Sequence, residues 1–200
     1  GVFTPEGPPL ELPAWTGPKV SCVSWSDNPL KGGADIVALA KQNPTVLFAR
    51  AGRWPEAKLP YNVVDLGVLD AAGVAALHRA TECLITYSRS EACPNHVIEA
   101  MACGRPVIYY DAPGSAAAEI VARCGLPTWL MSEYPSVHRL EGLLETFREQ
   151  KTGDQARIRV QGYHTPGIVF PQYLDALRQA IEASKPGLLR RVGRALRVMA

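Results

Sequence analysis

Short apolar runs and longer amphipathic stretches alternate along most of this chain. Runs over residues 19–24, 45–50, 62–66, 82–87, 105–110 and 128–131 are rich in Val, Ile, Leu and Tyr, which predicts strands. Between them, stretches over 31–42, 70–80, 94–103, 116–124 and 136–150 carry apolar residues at helical spacing. Such alternation predicts β-α-β units around a parallel sheet. Val46-Leu47-Phe48-Ala49 and Pro106-Val107-Ile108-Tyr109-Tyr110 are apolar without alternation, as strands covered on both faces must be. The expected class is α/β, a Rossmann-like doubly wound parallel sheet with C-terminal helices.

The pattern weakens at both ends. Residues 1–18 hold five prolines and three glycines and no periodicity, so they are expected to form a linker-like lead-in. The body spans 19–150, and a helical segment follows over 151–184, where Phe170, Leu174, Leu177 and Ile181 share one helical face. Pro186-Gly187 then interrupts the chain, and 185–200 reads as a basic amphipathic tail with a short helix over 188–199. No internal repeat and no low-complexity block is present.

Composition narrows the function classes. With 47% hydrophobic and 20% charged residues, the 200-residue chain is long enough to bury a real core. It has no uninterrupted apolar run of about 18 residues and no leader-like start, which predicts a cytoplasmic chain. Cys22, Cys83, Cys93, Cys103 and Cys124 are an odd set without a C-x-x-C, expected as reduced thiols rather than disulfides or a zinc site. The net charge of +2 conceals an asymmetry: all 19 acids but only 16 of the 21 bases precede residue 185, leaving that part at −3. A mildly acidic body disfavours nucleic acid as partner. The basic tail is suited to peripheral contact with an anionic membrane, or to packing against another domain.

In an open parallel sheet, ligands lie beyond the carboxyl ends of the strands, where helix N-termini offer free N–H groups. Three strand-to-helix junctions carry candidate chemistry. In the first, residues 24–33, Lys31 stands beside Gly32 and Gly33, an arrangement suited to a phosphate; a solvated lysine in an ordinary loop is the alternative. In the second, residues 90–108, Glu91 follows a strand and Glu99 lies further along a helix entered at Pro94. Two such carboxylates suit the vicinal hydroxyls of a sugar and a ribose, with the helix start facing a diphosphate between them. Alternatively Glu99 points to solvent, although its neighbours Val97, Ile98 and Met101 are apolar. The third, residues 111–119, joins strand to helix through Gly114, with Ser115 as an N-cap. A plain capped turn explains it almost as well.

Together these junctions resemble the nucleotide-sugar-binding half of GT-B glycosyltransferases, specifically the retaining family 4 type. Glu91-x7-Glu99 followed by Ala100-Met101-Ala102-Cys103-Gly104-Arg105-Pro106-Val107 resembles that family's E-x7-E-A-M-A-C-G-x-P-V stretch. Lys31-Gly32 is similar to its K-G, and Asn62-Val63-Val64-Asp65-Leu66-Gly67-Val68 to its N-V-x-x-L-G-x segment, so the similarity covers roughly residues 19–125. Gly1-Val2-Phe3-Thr4-Pro5 resembles the remainder of the family's interdomain hinge. The resemblance therefore implies a C-terminal donor domain whose acceptor-binding N-terminal partner precedes Gly1, inactive as a transferase when alone.

The resemblance further implies that Glu91 meets hydroxyls of the donor sugar and that Glu99 holds the ribose. It implies that Lys31 pairs with the diphosphate and stabilises the leaving group in place of a metal. Backbone N–H groups around Cys93, Asn95 and His96 would face sugar and phosphate, and the base would rest near Arg53 and Val68. No metal and no cofactor beyond the donor is expected, since the histidines (His78, His96, His138, His164) are scattered. The sequence departs from the family at two donor-facing positions. Trp25 stands where an arginine usually supplies a second diphosphate contact, and Gly114 stands alone where a glycine pair is frequent. Either Arg53 or Arg89 substitutes for the missing arginine, or donor affinity is weakened, or the domain binds without turnover. A non-catalytic binding module is thus the second reading, and a sugar-nucleotide epimerase the third.

Overall fold

The computed structural model describes residues 1–55, 58–91, 93–110, 114–121, 125–127 and 137–183. Cys124, the strand predicted over 128–131 and the basic tail over 185–200 lie outside the described residues. Six strands, β1 (Lys19–Ser24), β2 (Leu47–Gly52), β3 (Val63–Asp65), β4 (Cys83–Thr86), β6 (Val107–Tyr109) and β8 (Gly125–Pro127), form one sheet. All its pairings are parallel, in the order β3-β2-β1-β4-β6-β8. The chain starts at the centre, runs outward through β2 and β3, then returns to the other side of β1. The strand order therefore reverses between β1 and β4, and an open α/β sheet places its ligand crevice beyond the ends of those two strands.

Strand periodicity decides which helix covers which face. Val20 and Cys22 of β1, Phe48 of β2, Cys83 and Ile85 of β4 and Ile108 of β6 form one buried cluster with Ile36, Leu39 and Ala40 of α1 (Gly33–Gln42). Leu140, Leu144 and Phe147 of α5 (Val137–Glu149) close the same cluster. The alternate positions, Val23, Ala49, Ala51, Leu84, Val107 and Tyr109, pack on the opposite face against α2 (Ala71–Ala80), α3 (Asn95–Ala102) and α4 (Ala117–Val121). Ala156 and Val160 of α6 (Thr152–Tyr163) complete that layer. Helices on both faces of a parallel sheet are the doubly wound, Rossmann-like α/β architecture.

The structure differs from the pattern reading at several points, among them the following. The lead-in, residues 1–18, forms no helix or strand but is packed: the Leu10 N–H donates to Ala76 O (2.9 Å), Arg79 donates to Thr4 O and Pro8 O, and Phe3, Leu10 and Leu12 rest on the core. Its apolar residues follow no period because they meet α2 from an irregular backbone. The helix expected from residue 31 starts at Gly33, since Pro29–Lys31 forms a 3₁₀ turn and Gly32 adopts a left-handed φ of 76°. The helix expected from Pro94 starts at Asn95, with Pro94 as its cap. Ser115 is not a helix cap but part of a two-residue strand, β7 (Gly114–Ser115), which pairs with β5 (Ser90–Glu91).

Contacts separate Gly1–Val160 from a second unit, Gln161–Ala200. In that second unit α7 (Pro166–Ala183) includes the amphipathic stretch expected from residue 170, and Phe170, Leu174 and Leu177 are exposed along it. No helix among the described residues is long and apolar enough to cross a membrane.

Candidate functional site

Strand β1 ends in the run Val23-Ser24, and Ser24 Oγ donates to Ser26 O at 2.8 Å, turning the chain upward out of the sheet. Asn28 then caps the 3₁₀ turn, its side-chain oxygen accepting from the Leu30 N–H at 2.9 Å. Gly32 follows, and a Cβ there would overlap the Tyr87 backbone just past β4. Only glycine tolerates both that approach and the positive φ. The glycine beside Lys31 thus seats the first junction against the second, and Lys31 emerges facing the loop after β4.

That loop is held from three directions. The Arg89 N–H donates to Leu30 O (2.8 Å), and the Arg89 guanidinium makes two bonds to Asp35 of α1 (2.8 and 3.0 Å) while lying over the Tyr110 ring. On the far side, Ser90 and Glu91 pair with Gly114 and Ser115, and the Ala116 N–H donates to Glu91 O at 2.9 Å. The third junction therefore serves the second as backbone support.

The result is a cavity of about 250 Å³ beyond β1 and β4, lined by Trp25, Lys31, Glu91, Cys93, Asn95, His96 and Glu99 among others. Lys31 Nζ is bonded to Glu91 Oε2, a carboxylate 60 residues away in sequence, and also reaches Ser90 O at 3.5 Å. Ser88 donates to the same Glu91 oxygen at 3.4 Å. Glu99 is half-buried on α3, one position off the face formed by Val97, Ala100 and Met101. Its carboxylate has no hydrogen-bond partner among the described residues, and burial pushes its pKa up. His96 is buried and bonded through Nε2 to Thr86 Oγ1 (3.1 Å), and burial lowers its pKa to about 4, so the ring is neutral at pH 7. Among the described lining residues Lys31 is the one cation.

Seven of the ten residues singled out from the sequence thus meet in one cavity: Lys31, Glu91, Glu99, Cys93, Asn95, His96 and Trp25. Three do not line it. Arg53 is exposed at the end of β2, where its N–H donates to Ser24 O (2.8 Å). Val68 is exposed in the segment after β3, and Gly114 acts through its strand pairing. Two further details depart from the sequence reading. The Asn95 N–H is spent on Cys93 O (2.9 Å), and Arg89 is paired with Asp35 and lies over the Tyr110 ring. Sequence reasoning passed over Val23, Ser24, Ser26, Thr86 and Ser88, which also line the cavity. For Ser24 and Thr86 the signal was a polar residue closing an apolar strand beside the point where strand order reverses. Among the described residues no three His, Cys, Asp or Glu side chains gather as a metal site.

Comparison with known proteins places this geometry. The sequence matches no curated protein. The fold is similar to that of sucrose-phosphate synthase from Thermosynechococcus elongatus, with a TM-score of 0.64 and 21% identity over 84% of this chain and 46% of that one. It is likewise similar to HepE from Anabaena, solved in complex with UDP-glucose (TM-score 0.60, 23% identity, 82% of this chain and 49% of that one). A third similar structure is a glycosyltransferase from Rickettsia africae (TM-score 0.65, 14% identity, 86% and 50%). The chain spans half or less of the length of each of these structures. The family model for glycosyl transferases group 1 matches residues 35–134, half of the chain and inclusive of Glu91, Glu99 and the helix between them. By that match and by its GT-B-like sheet, the chain belongs to the group 1 glycosyl transferases.

Proposed function

We propose that this domain binds a nucleoside-diphosphate sugar in the crevice beyond β1 and β4, as the donor half of a retaining, metal-independent glycosyltransferase. The observation that carries the reading is the convergence of Lys31 and Glu91, from the two strands flanking the reversal point, with the unpaired Glu99 in the same cavity. Lys31 is the charge partner for the diphosphate, and as the bond to the sugar breaks its ammonium stabilises the charge growing on the leaving phosphate. Glu91 accepts hydrogen bonds from sugar hydroxyls. Glu99, half-buried and without a partner among the described residues, accepts from the ribose hydroxyls, which answers the cost of holding a carboxylate there. HepE, a similar fold, was solved with UDP-glucose, and the same ligand class is proposed here. This chain spans half or less of each similar structure, and acceptor binding and the remaining catalytic groups are assigned to a separate domain, the transferase reaction to the two together.

Isothermal titration with UDP, GDP and ADP and their glucose and mannose conjugates tests the donor site. At least one conjugate should bind with a Kd below 1 mM; heats of dilution alone for all of them at millimolar ligand would remove the reading.

Trp25 favours a second reading. It lines the cavity and is 55% exposed, where an indole offers phosphate no charge, and Arg89 is committed to Asp35. A domain left with one phosphate cation suits a binding module without turnover. Trp25→Arg should raise affinity for the nucleoside diphosphate about tenfold, roughly 1.4 kcal/mol. An unchanged Kd would mean that the site already meets its phosphates by other groups.

A further inference from the structure

Lys31, the one cation among the described lining residues, is not free to receive a phosphate. Lys31 Nζ is bonded to Glu91 Oε2, the same oxygen receives the Ser88 hydroxyl at 3.4 Å, and each side chain of the pair is 23% exposed. Both partners are fixed at the backbone, Lys31 by the Asn28 cap and by Gly32 against Tyr87, Glu91 by the pairing of β5 with β7 and the Ala116 N–H. Parting them takes only side-chain rotation, because neither backbone needs to move.

Resting on the donor-site reading above, we propose that Glu91 is an internal competitor for Lys31, so that the cavity accepts a nucleoside-diphosphate sugar in preference to the bare nucleoside diphosphate. A bare diphosphate that takes Lys31 leaves the Glu91 carboxylate without its cation and facing a second anion in a partly desolvated cavity. The hydroxyls that ligand does carry, those of its ribose, are assigned to Glu99, so it brings no sugar hydroxyl to Glu91. A sugar conjugate brings hydroxyl donors to the same place, so Glu91 exchanges an ammonium for hydroxyls while Lys31 exchanges a carboxylate for phosphate. Every polar group then ends with a partner. The selectivity arises from the repulsion offered to the wrong ligand as much as from attraction to the right one. After sugar transfer the same contact works in reverse: Glu91 loses its hydroxyls, returns to Lys31 and displaces the spent nucleoside diphosphate. The missing arginine at Trp25 makes the effect large, because a second cation would hold the diphosphate while the first stayed paired.

The test is a titration of the 200-residue chain and its Glu91→Gln variant with UDP, GDP and ADP and with their glucose conjugates, thermal unfolding confirming that both proteins are folded. The wild-type chain should bind the conjugate at least tenfold more tightly than the matching diphosphate. Glu91→Gln should bind the bare diphosphate about tenfold more tightly than wild type does, with no comparable gain for the conjugate. If the variant does not fold, the wild-type ratio alone decides, and a diphosphate bound as tightly as its conjugate overturns the proposal. A diphosphate affinity unchanged or weakened by Glu91→Gln overturns it too, and leaves the donor site standing. Failure of every ligand to bind either protein removes the donor site and this competition with it.

Discussion

Thermal unfolding at pH 4.5 is expected to occur roughly 10 °C below that at pH 7, because two histidines fold only as neutral rings. His78 of α2 is fully buried, and burial, reinforced by the positive field of His96, Arg105 and Arg79, lowers its pKa from 6.5 to about 3. Its bonding shows why. His78 Nδ1 shares a hydrogen bond with Ser21 Oγ (3.2 Å), whose hydroxyl also reaches Cys83 O (3.2 Å). Nε2 has no partner among the described residues, so a doubly protonated ring would hold an N–H with no acceptor. His96 is lowered to about 4, chiefly by burial, with Glu91 opposing and Lys31 assisting.

The sign follows from linkage. Above about pH 6.5 both states hold neutral rings and the fold keeps its full stability. As the pH falls below that value the unfolded chain takes up protons that the folded chain refuses, so stability is lost progressively toward pH 4 for His96 and pH 3 for His78. At pH 4.5 the loss is about 2–3 kcal/mol for each ring, and a domain of this size loses ~2–4 °C of Tm per kcal/mol. Glu99 acts the other way, since burial makes its folded carboxyl hold a proton more readily than the unfolded one, and acid returns a part of the loss. Calorimetry across pH 4.5–7 checks the expectation, and a His78→Gln variant should show about half the slope. A Tm independent of pH over that range would remove the account of both histidines.

The second large effect is at Lys31. Lys31→Met is expected to weaken binding of a nucleoside-diphosphate sugar about 100-fold, because the lining offers no other cation among its described residues and a charge-assisted bond is worth ~1.5–3 kcal/mol. Stability should fall by about 1–3 kcal/mol, since Glu91 then keeps its charge in a partly desolvated cavity without its cation. Titration and unfolding measured on one preparation separate the two effects. A Kd within threefold of wild type would mean that the phosphate does not reach Lys31.

The clearest signals in the sequence were those carried by residues close together along the chain. Val46, Leu47, Phe48 and Ala49 read as a strand covered on both faces, and all four are buried. Val97, Ala100 and Met101 recur at helical spacing and form the core face of α3, which leaves Glu99 beside that face and over the cavity. The interval from Glu91 to Glu99 is local, so its placement of two carboxylates around one helix start was legible before any fold. The β5–β7 pairing was not, since two residues per strand are too few to show a period and their partners lie 24 residues apart. Nor was the packed course of residues 1–18, whose contacts with α2 bridge about 70 positions.

By itself the sequence determined the α/β class and the family and showed which polar residues each junction offers, because hydrophobic period and motif spacing are properties of neighbouring residues. The tertiary structure decided which of those groups meet. It brought Lys31 to Glu91, spent Arg89 on Asp35, kept Arg53 and Val68 out of the cavity and turned the third junction into a support for the second. The physical reason lies in strand order: where the sheet reverses between β1 and β4, loops 60 residues apart become neighbours, and no local pattern records that distance.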